Sequence, residues 1–218
     1  MLRECDMNEI SDGRRYRAND LVKVGCNDCK GCHSCCEGMD DTIVLDPYDI
    51  CRLTVNLNQN FEVLMSGRVG LHVEEGVILP HLLMQENTGA CSFLNAEGRC
   101  SIHAYRPGIC RLFPLGRIYE EDGFSYFLQV NECTKENRTK EKVKNWMDTP
   151  RFKEYEAFVL QWHNYVKILQ NKLQERDDAK NLNMMHLQIF YIRPYQSMDT
   201  FYEEFAGRMQ EMLAILGE

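Results

Sequence analysis

Between positions 26 and 36 the chain places five cysteines in eleven residues: Cys26, Cys29, Cys32, Cys35 and Cys36. A segment so dense in thiols, and nearly empty of apolar side chains, has no core of its own to bury. It is expected to be loop, turned at Gly31 and Gly38, with side chains free to converge. Cys91, Cys100, Cys110 and Cys133 follow at wider spacing, and no cysteine occurs from 134 to 218. With Cys5 and Cys51 the total is eleven in 218 residues. That is too many for incidental packing. It is too few for a disulfide scaffold, where cysteine exceeds roughly 8–10% of a short secreted chain. A chain of this length can bury a core without covalent staples.

The compartment decides what the thiols are for. The first residues carry Glu4, Asp6 and Glu9 and no apolar stretch, unlike a signal or transit peptide. The longest apolar run, Val77–Met84, is interrupted by Pro80 and His81, so no membrane-spanning helix is expected. A cytoplasmic location with reduced thiols follows, and with it metal or redox chemistry in place of disulfides. The 44% apolar and 27% charged fractions are those of a globular chain. A net charge of −8, from 33 acids and 25 bases, argues against a nucleic-acid partner.

Cys26 to Cys35 forms three overlapping C-x-x-C pairs. In each, two thiolates can grip one ion while the intervening amides turn toward sulfur. Read from Cys26 to Cys36, the run is also C-x2-C-x2-C-x3-C, the bacterial ferredoxin spacing. Glu37 stands where proline usually follows, and there is no second copy. The neighbours Cys35 and Cys36 point to two centres or one polynuclear centre, because adjacent side chains diverge. The nine thiols from Cys26 to Cys133, Cys51 aside, fill two four-thiolate sites with one left over. Soft thiolates select zinc, copper(I) or iron–sulfur.

The order of motifs has a relative. Cys29-x-x-Cys32-x-x-Cys35-Cys36 is followed by Cys91-Ser-Phe-Leu, Gly98-Arg-Cys100-Ser-Ile-His and Arg106-Pro107-Gly-Ile-Cys110-Arg111. Over residues 26–133 this resembles the CxxCxxCC (YkgJ-type) cysteine-cluster family of zinc- or iron-chelating domains. More distantly it is similar to the cysteine cluster of flagellin lysine methylases, for which an iron–sulfur centre is implied. The resemblance implies metal binding by Cys29, Cys32, Cys35, Cys36, Cys91, Cys100 and Cys110. Cys26 is an addition to that pattern, and Cys133 a further candidate ligand. Lys30, Arg99, Arg106 and Arg111 flank candidate ligands and could offset thiolate charge by hydrogen bonding. His33 and His103 lie nearby and could each replace a cysteine, although such histidines more often flank a site. Pro107 fixes the turn that aims Cys110.

Outside the cysteines, Thr42–Leu45 reads as a short strand, and Asp46-Pro47 as the start of a helix through Val55, with Cys51 in its core face. A second short helix fits Phe61–Met65. Leu71–Glu74 should pair with Val77–Leu83 across Glu75-Gly76. A tight hairpin around Asn95–Gly98 should bring Cys91 near Cys100, and Arg117–Glu120 should pair with Phe124–Val130. Residues 1–25 are weakly patterned, and the basic run from Lys135 to Lys144, interleaved with Glu136 and Glu141, reads as a solvated face. Helical periodicity then runs from Thr149-Pro150 to about residue 177, over Leu182–Ile192, and over Asp199–Leu216. The expected fold is α+β. A cysteine-rich metal-binding domain of short hairpins and loops (1–140) carries a C-terminal antiparallel helical extension (141–218).

Three functions are in view. The first is a metal-binding protein with an iron–sulfur or zinc centre in a redox or accessory role. Iron–sulfur is preferred for the ferredoxin-like spacing and the Cys35-Cys36 pair. The second is a structural zinc module whose C-terminal helices meet a protein partner. The third is an iron–sulfur-dependent protein lysine methylase-like enzyme. No phosphate-binding glycine loop, catalytic serine order, HExxH or recognisable S-adenosylmethionine loop accompanies the cysteines.

Overall fold

A computed structural model describes residues 7–27, 29–30 and 32–218. Cys5, expected to be a bystander, and Gly31 lie outside them. One helical turn, α1 (Met7–Ile10), precedes β1 (Leu21–Gly25), whose alternation buries Val22 and Val24. The cysteine loop follows, with a single 3-10 turn at Ser34–Cys36. Asp46-Pro47 opens α2 (Pro47–Leu57), as the sequence predicts. The Asp46 and Asp49 carboxylates each accept from the other's backbone N–H, satisfying two helix-end donors. α3 (Phe61–Met65) is capped by Asn60.

The hairpins form where two-residue turns separate alternating segments. β2 (Val69–Glu74) pairs antiparallel with β3 (Val77–Leu82). The turn residues Glu75 and Gly76 both take positive φ, 48° and 86°, as the mirror-image turn of a tight hairpin requires. After α4 (Gly108–Leu112), β4 (Leu115–Glu120) pairs with β5 (Gly123–Leu128) across Glu121-Asp122.

Two strands are absent from the sequence expectation. β6 (Thr139–Lys142) lies inside the basic run and pairs with β1, Gly25 opposite Thr139 and Leu21 opposite Lys142. Each is short, and its partner lies on the far side of the cysteine region, so local pattern could not reveal the pair. Conversely, Thr42–Leu45 is not a regular strand. Val44 makes one isolated bridge to His81, and Leu45 N–H donates to Pro80 O at 2.8 Å. The Cys91–Leu94 and Arg99–Ile102 pieces likewise reduce to turns and a single Leu94–Cys100 bridge. Cysteine and glycine supply no alternating apolar face to hold longer ladders.

α5 (Val143–Met147) leads into α6 (Phe152–Glu175), α7 (Ala179–Leu187) with a π-turn at Gln188–Ile192, and α8 (Phe201–Leu216). His186 and Phe190 pack on Trp162, so α7 returns antiparallel along α6. α8 runs back parallel to α6: Phe158 meets Phe201 and Phe205 near the start of both, and Lys172 pairs with Glu218 at 2.8 Å near their ends. The chain is thus a mixed α+β fold with a C-terminal helical region. Among the described residues no helix is long and apolar enough to cross a membrane.

One apolar core is continuous through both parts. Tyr48 of α2 stacks among Tyr155, Phe201 and Tyr202, at ring separations of 5.0–5.8 Å. Tyr191 O–H donates to Leu45 O at 3.2 Å. Asn183 of α7 clasps the β2–β3 turn, accepting from Ile78 N–H and donating to Gly76 O. Buried Arg208 donates to Ile189, Arg193 and Pro194 carbonyls, satisfying the end of the π-turn. Cys51, wholly buried, packs on Met198 as a core residue.

Candidate metal centre

Turns place the thiols. Cys32 N–H donates to Cys29 O at 3.0 Å, and Cys36 N–H to His33 O at 2.7 Å, so backbone turns fold the Cys29–Cys36 run onto itself. Asn27 and Cys29 both take positive φ, 53° and 54°. This is an uncommon conformation for a side-chain-bearing residue and is held here by the surrounding fold. The second segment docks by backbone pairing. Cys91 N–H donates to Cys36 O at 2.7 Å, and Gly38 N–H to Gly89 O at 2.9 Å. Beyond it, Gly98 at φ 67° closes the Asn95–Arg99 turn that carries Cys100.

The third segment is fixed from the helical side. The Asp49 carboxylate accepts from Gly108 N–H at 2.7 Å, tying α2 to the first residue of α4, which carries Cys110. A side chain at Gly108 would collide with the Tyr155 hydroxyl, so glycine permits this approach. Arg111 is buried and donates to the carbonyls of Ala104, Arg106, Met147 and Asp148. It staples the turn before α4 to the end of α5; all its hydrogen bonds go to carbonyls.

Cys26 and Cys29 lie Sγ to Sγ at 3.4 Å. Two thiolates at roughly 2.3 Å from a tetrahedral zinc stand about 3.8 Å apart, so this pair is close to a gripping span. Cys32 Sγ lies 3.6 Å from Ser34 Oγ and 3.8 Å from Thr134 Oγ1. Cys26, Cys29, Cys32, Cys35 and Cys133 line one crevice, walled by Phe113, Pro114 and Trp146. Trp146 is held by its indole N–H on Phe113 O at 3.2 Å. Among the described residues no three His, Cys, Asp or Glu side chains stand close enough together to hold an ion. The fold gathers the candidates without closing a coordination shell.

A family model described as a "Putative zinc- or iron-chelating domain" matches residues 28–141, just over half of the chain. The chain belongs to the CxxCxxCC family. No curated protein and no solved structure matches it. The family supports metal binding in general, and its span holds eight of the nine candidate thiols, Cys29 to Cys133, with Cys26 just before it.

The electrostatics of this CxxCxxCC chain suit a cation. Burial pushes the Cys91, Cys100 and Cys110 thiols up, Cys110 most. Cys29 is pushed up to about 12 by burial and by its contact with Cys26. Cys35 is drawn down to about 6, chiefly because Cys36 S–H donates to it, and Cys36 rises correspondingly. Buried neutral thiols ionise when a metal supplies the opposing charge. Arg106 is the cation shared by Cys29, Cys35 and Cys100, favouring the thiolate of each, with Arg68 acting on Cys91 and Arg99 on Cys100. Arg106 Nη1 contacts His103, while its buried Nε has no hydrogen-bond partner among the described residues. A buried, unanswered N–H is costly. A metal-bound thiolate beside it would accept a hydrogen bond from it, so the residues fit a thiolate-held metal.

The neighbours of the thiols differ from the sequence expectation. Lys30 enters through its carbonyl, which accepts from Lys135 Nζ at 3.0 Å. Lys135, expected on a solvated face, is the base that favours the Cys32 thiolate, behind the larger effect of hydrogen bonding by Ser34. Arg99 donates to Cys29 O at 3.0 Å, joining the second thiol segment to the first. Lys135 follows Cys133 by two residues, and that spacing was the available signal. Asp49, Ser34 and Thr134 had none beyond proximity.

Proposed function

We propose that the chain is a metal-binding protein whose thiols hold an iron–sulfur or zinc centre. The ligand pool is Cys29, Cys32, Cys35, Cys36, Cys91, Cys100 and Cys110, joined by Cys26 and Cys133. The observation that carries this reading is Arg106: a guanidinium set among thiols from two separate segments, with a buried Nε–H that no group among the described residues accepts. Such a group is suited to a negatively charged thiolate–metal centre and ill-suited to an array of neutral thiols. The ferredoxin-like spacing and the Cys35–Cys36 pair favour iron–sulfur, with electron transfer or an accessory redox role in the cytoplasm.

A structural zinc module is the second reading. The 3.4 Å Cys26–Cys29 span favours it, as do Met184 and Met185, which stand exposed on α7 and would suit a protein partner. Anaerobic purification followed by a visible spectrum and measurement of iron, sulfide and zinc per chain separates the two. Brown protein with iron and matching sulfide is the expected result. Colourless protein with stoichiometric zinc moves the assignment to the zinc module. A folded chain with neither metal overturns both.

A further inference from the structure

The nine thiols occupy two neighbourhoods. Cys26, Cys29, Cys32 and Cys133 line the crevice, and Cys35 joins them there. Cys36, Cys91, Cys100 and Cys110 are not among its walls. They gather instead where Cys91 N–H meets Cys36 O, against the apolar core, with Cys91 itself buried. Cys35 stands at the divide: it joins the crevice wall, accepts from Cys36 S–H and lies within electrostatic reach of Cys91, Cys100 and Cys110.

The two groups are also built by different parts of the fold. Cys26 directly follows β1, and Cys133 precedes β6, so the β1–β6 ladder holds both stems with Gly25 opposite Thr139. The hydroxyl of Thr134 reaches Cys32 and Ser34 at 3.8 and 3.5 Å, linking that stem to the turn. Cys91, Cys100 and Cys110 are placed by the Asn95–Arg99 turn and by the Asp49 cap on α4, neither of which involves that ladder.

We propose that the chain holds two separate thiolate centres: an outer one on Cys26, Cys29, Cys32 and Cys133, and an inner one on Cys36, Cys91, Cys100 and Cys110. Cys35 is the thiol left between them, beside Arg106. Each set supplies four soft donors, the complement of a closed tetrahedral zinc or a four-thiolate cluster. The outer set borders an open crevice with Lys135 at its rim, so its metal exchanges with solution. The inner set is packed against the core and retains its metal. This rests on the metal-binding reading above and adds the number and partition of the centres.

Zinc serves as the probe, since it takes either kind of thiolate site whichever metal the cell supplies. The full chain, stripped of metal and kept reduced, is titrated with zinc and then challenged with a chromophoric chelator. Two zinc ions per chain are expected, one leaving roughly ten-fold faster than the other or more. Cys26→Ser should remove the fast class alone, and Cys100→Ser the slow class alone, with the far-UV helical signal confirming a folded chain. Two release classes in the unaltered chain support the partition even if one variant fails to fold. A single zinc, a single release class, or two variants that each deplete both classes would overturn it. Uptake of one zinc leaves the metal-binding reading standing, whereas no uptake by a folded chain removes both.

Discussion

The two halves of the molecule are held together by opposite means. The helical part from α6 onward buries rings against rings: Phe158 touches Phe201 and Phe205 at 5.2 and 4.7 Å between centroids, and Trp162 lies over His186 and Phe190. Among its buried polar groups Asn183 and Arg208 are matched to backbone partners, while His186 is enclosed by rings with its Nε2 unpartnered among the described residues. The thiol-bearing segments 26–38 and 89–112 have turns and single bridges in place of ladders, and among the described residues Arg106 Nε has no acceptor there. One half is closed by apolar burial, and the thiol segments of the other are built on backbone turns. The lesson is that a chain can spend its hydrophobic residues in one region and leave another to be organised by charge and sulfur, provided a joint connects them. Here α2 is that joint, with Tyr48 in the ring cluster and Asp49 on α4.

The largest expected effect comes from removing metal. Chelation under reducing conditions should abolish amide-exchange protection across residues 26–38 and 89–112 while α6 and α8 keep theirs, because binding free energy is folding free energy at such sites. Equal loss in both halves would break the contrast. Next, Phe158→Ala should cost about 3–5 kcal/mol in denaturant unfolding, by emptying the ring cluster. Because α2 connects the halves, the loss should also weaken metal retention.

Acid should act first on the helical half. Burial draws His186 down to about 3, and its Nε2 has no partner, while burial with Lys167 nearby draws His163 to about 4. Unfolded histidine titrates near ~6.5, so the unfolded chain binds more protons below that pH. Stability from this source is complete above it and is lost as pH falls toward the folded values. His186→Asn keeps an acceptor for Tyr165, whose hydroxyl lies 2.8 Å from His186 Nδ1. It should flatten the pH dependence of unfolding between those limits by about one proton. An unchanged slope would contradict the burial argument. The smallest effect is Arg106→Gln, expected to lower metal affinity roughly 10–100-fold while leaving the unfolding of the helices unchanged. Competition with a chelator measures it.

Legibility in the sequence followed the same divide. α6 and α8 were readable because Tyr155, Phe158, Trp162 and Tyr165, then Phe201, Phe205 and Met212, recur at helical spacing. α2 announced itself through Asp46-Pro47, and both long hairpins through their turn residues. The thiols were legible as a set, and the family match bears out the motif that named them. What was hidden is the scaffold of the site. The β1–β6 ladder joins two short segments across the whole cysteine region, and Lys135 gains its neighbour only through that pairing. Arg111 read as a companion of the ligands, yet its guanidinium serves four carbonyls around the α4–α5 junction. Local periodicity carries no information on such distant pairings.

X-ray absorption at the edge of whichever metal the purified chain carries tests the central claim most directly. The account predicts nearest scatterers that are all sulfur, at roughly 2.3 Å. A shell dominated by nitrogen or oxygen would mean that the thiols are not the ligands, and would contradict it.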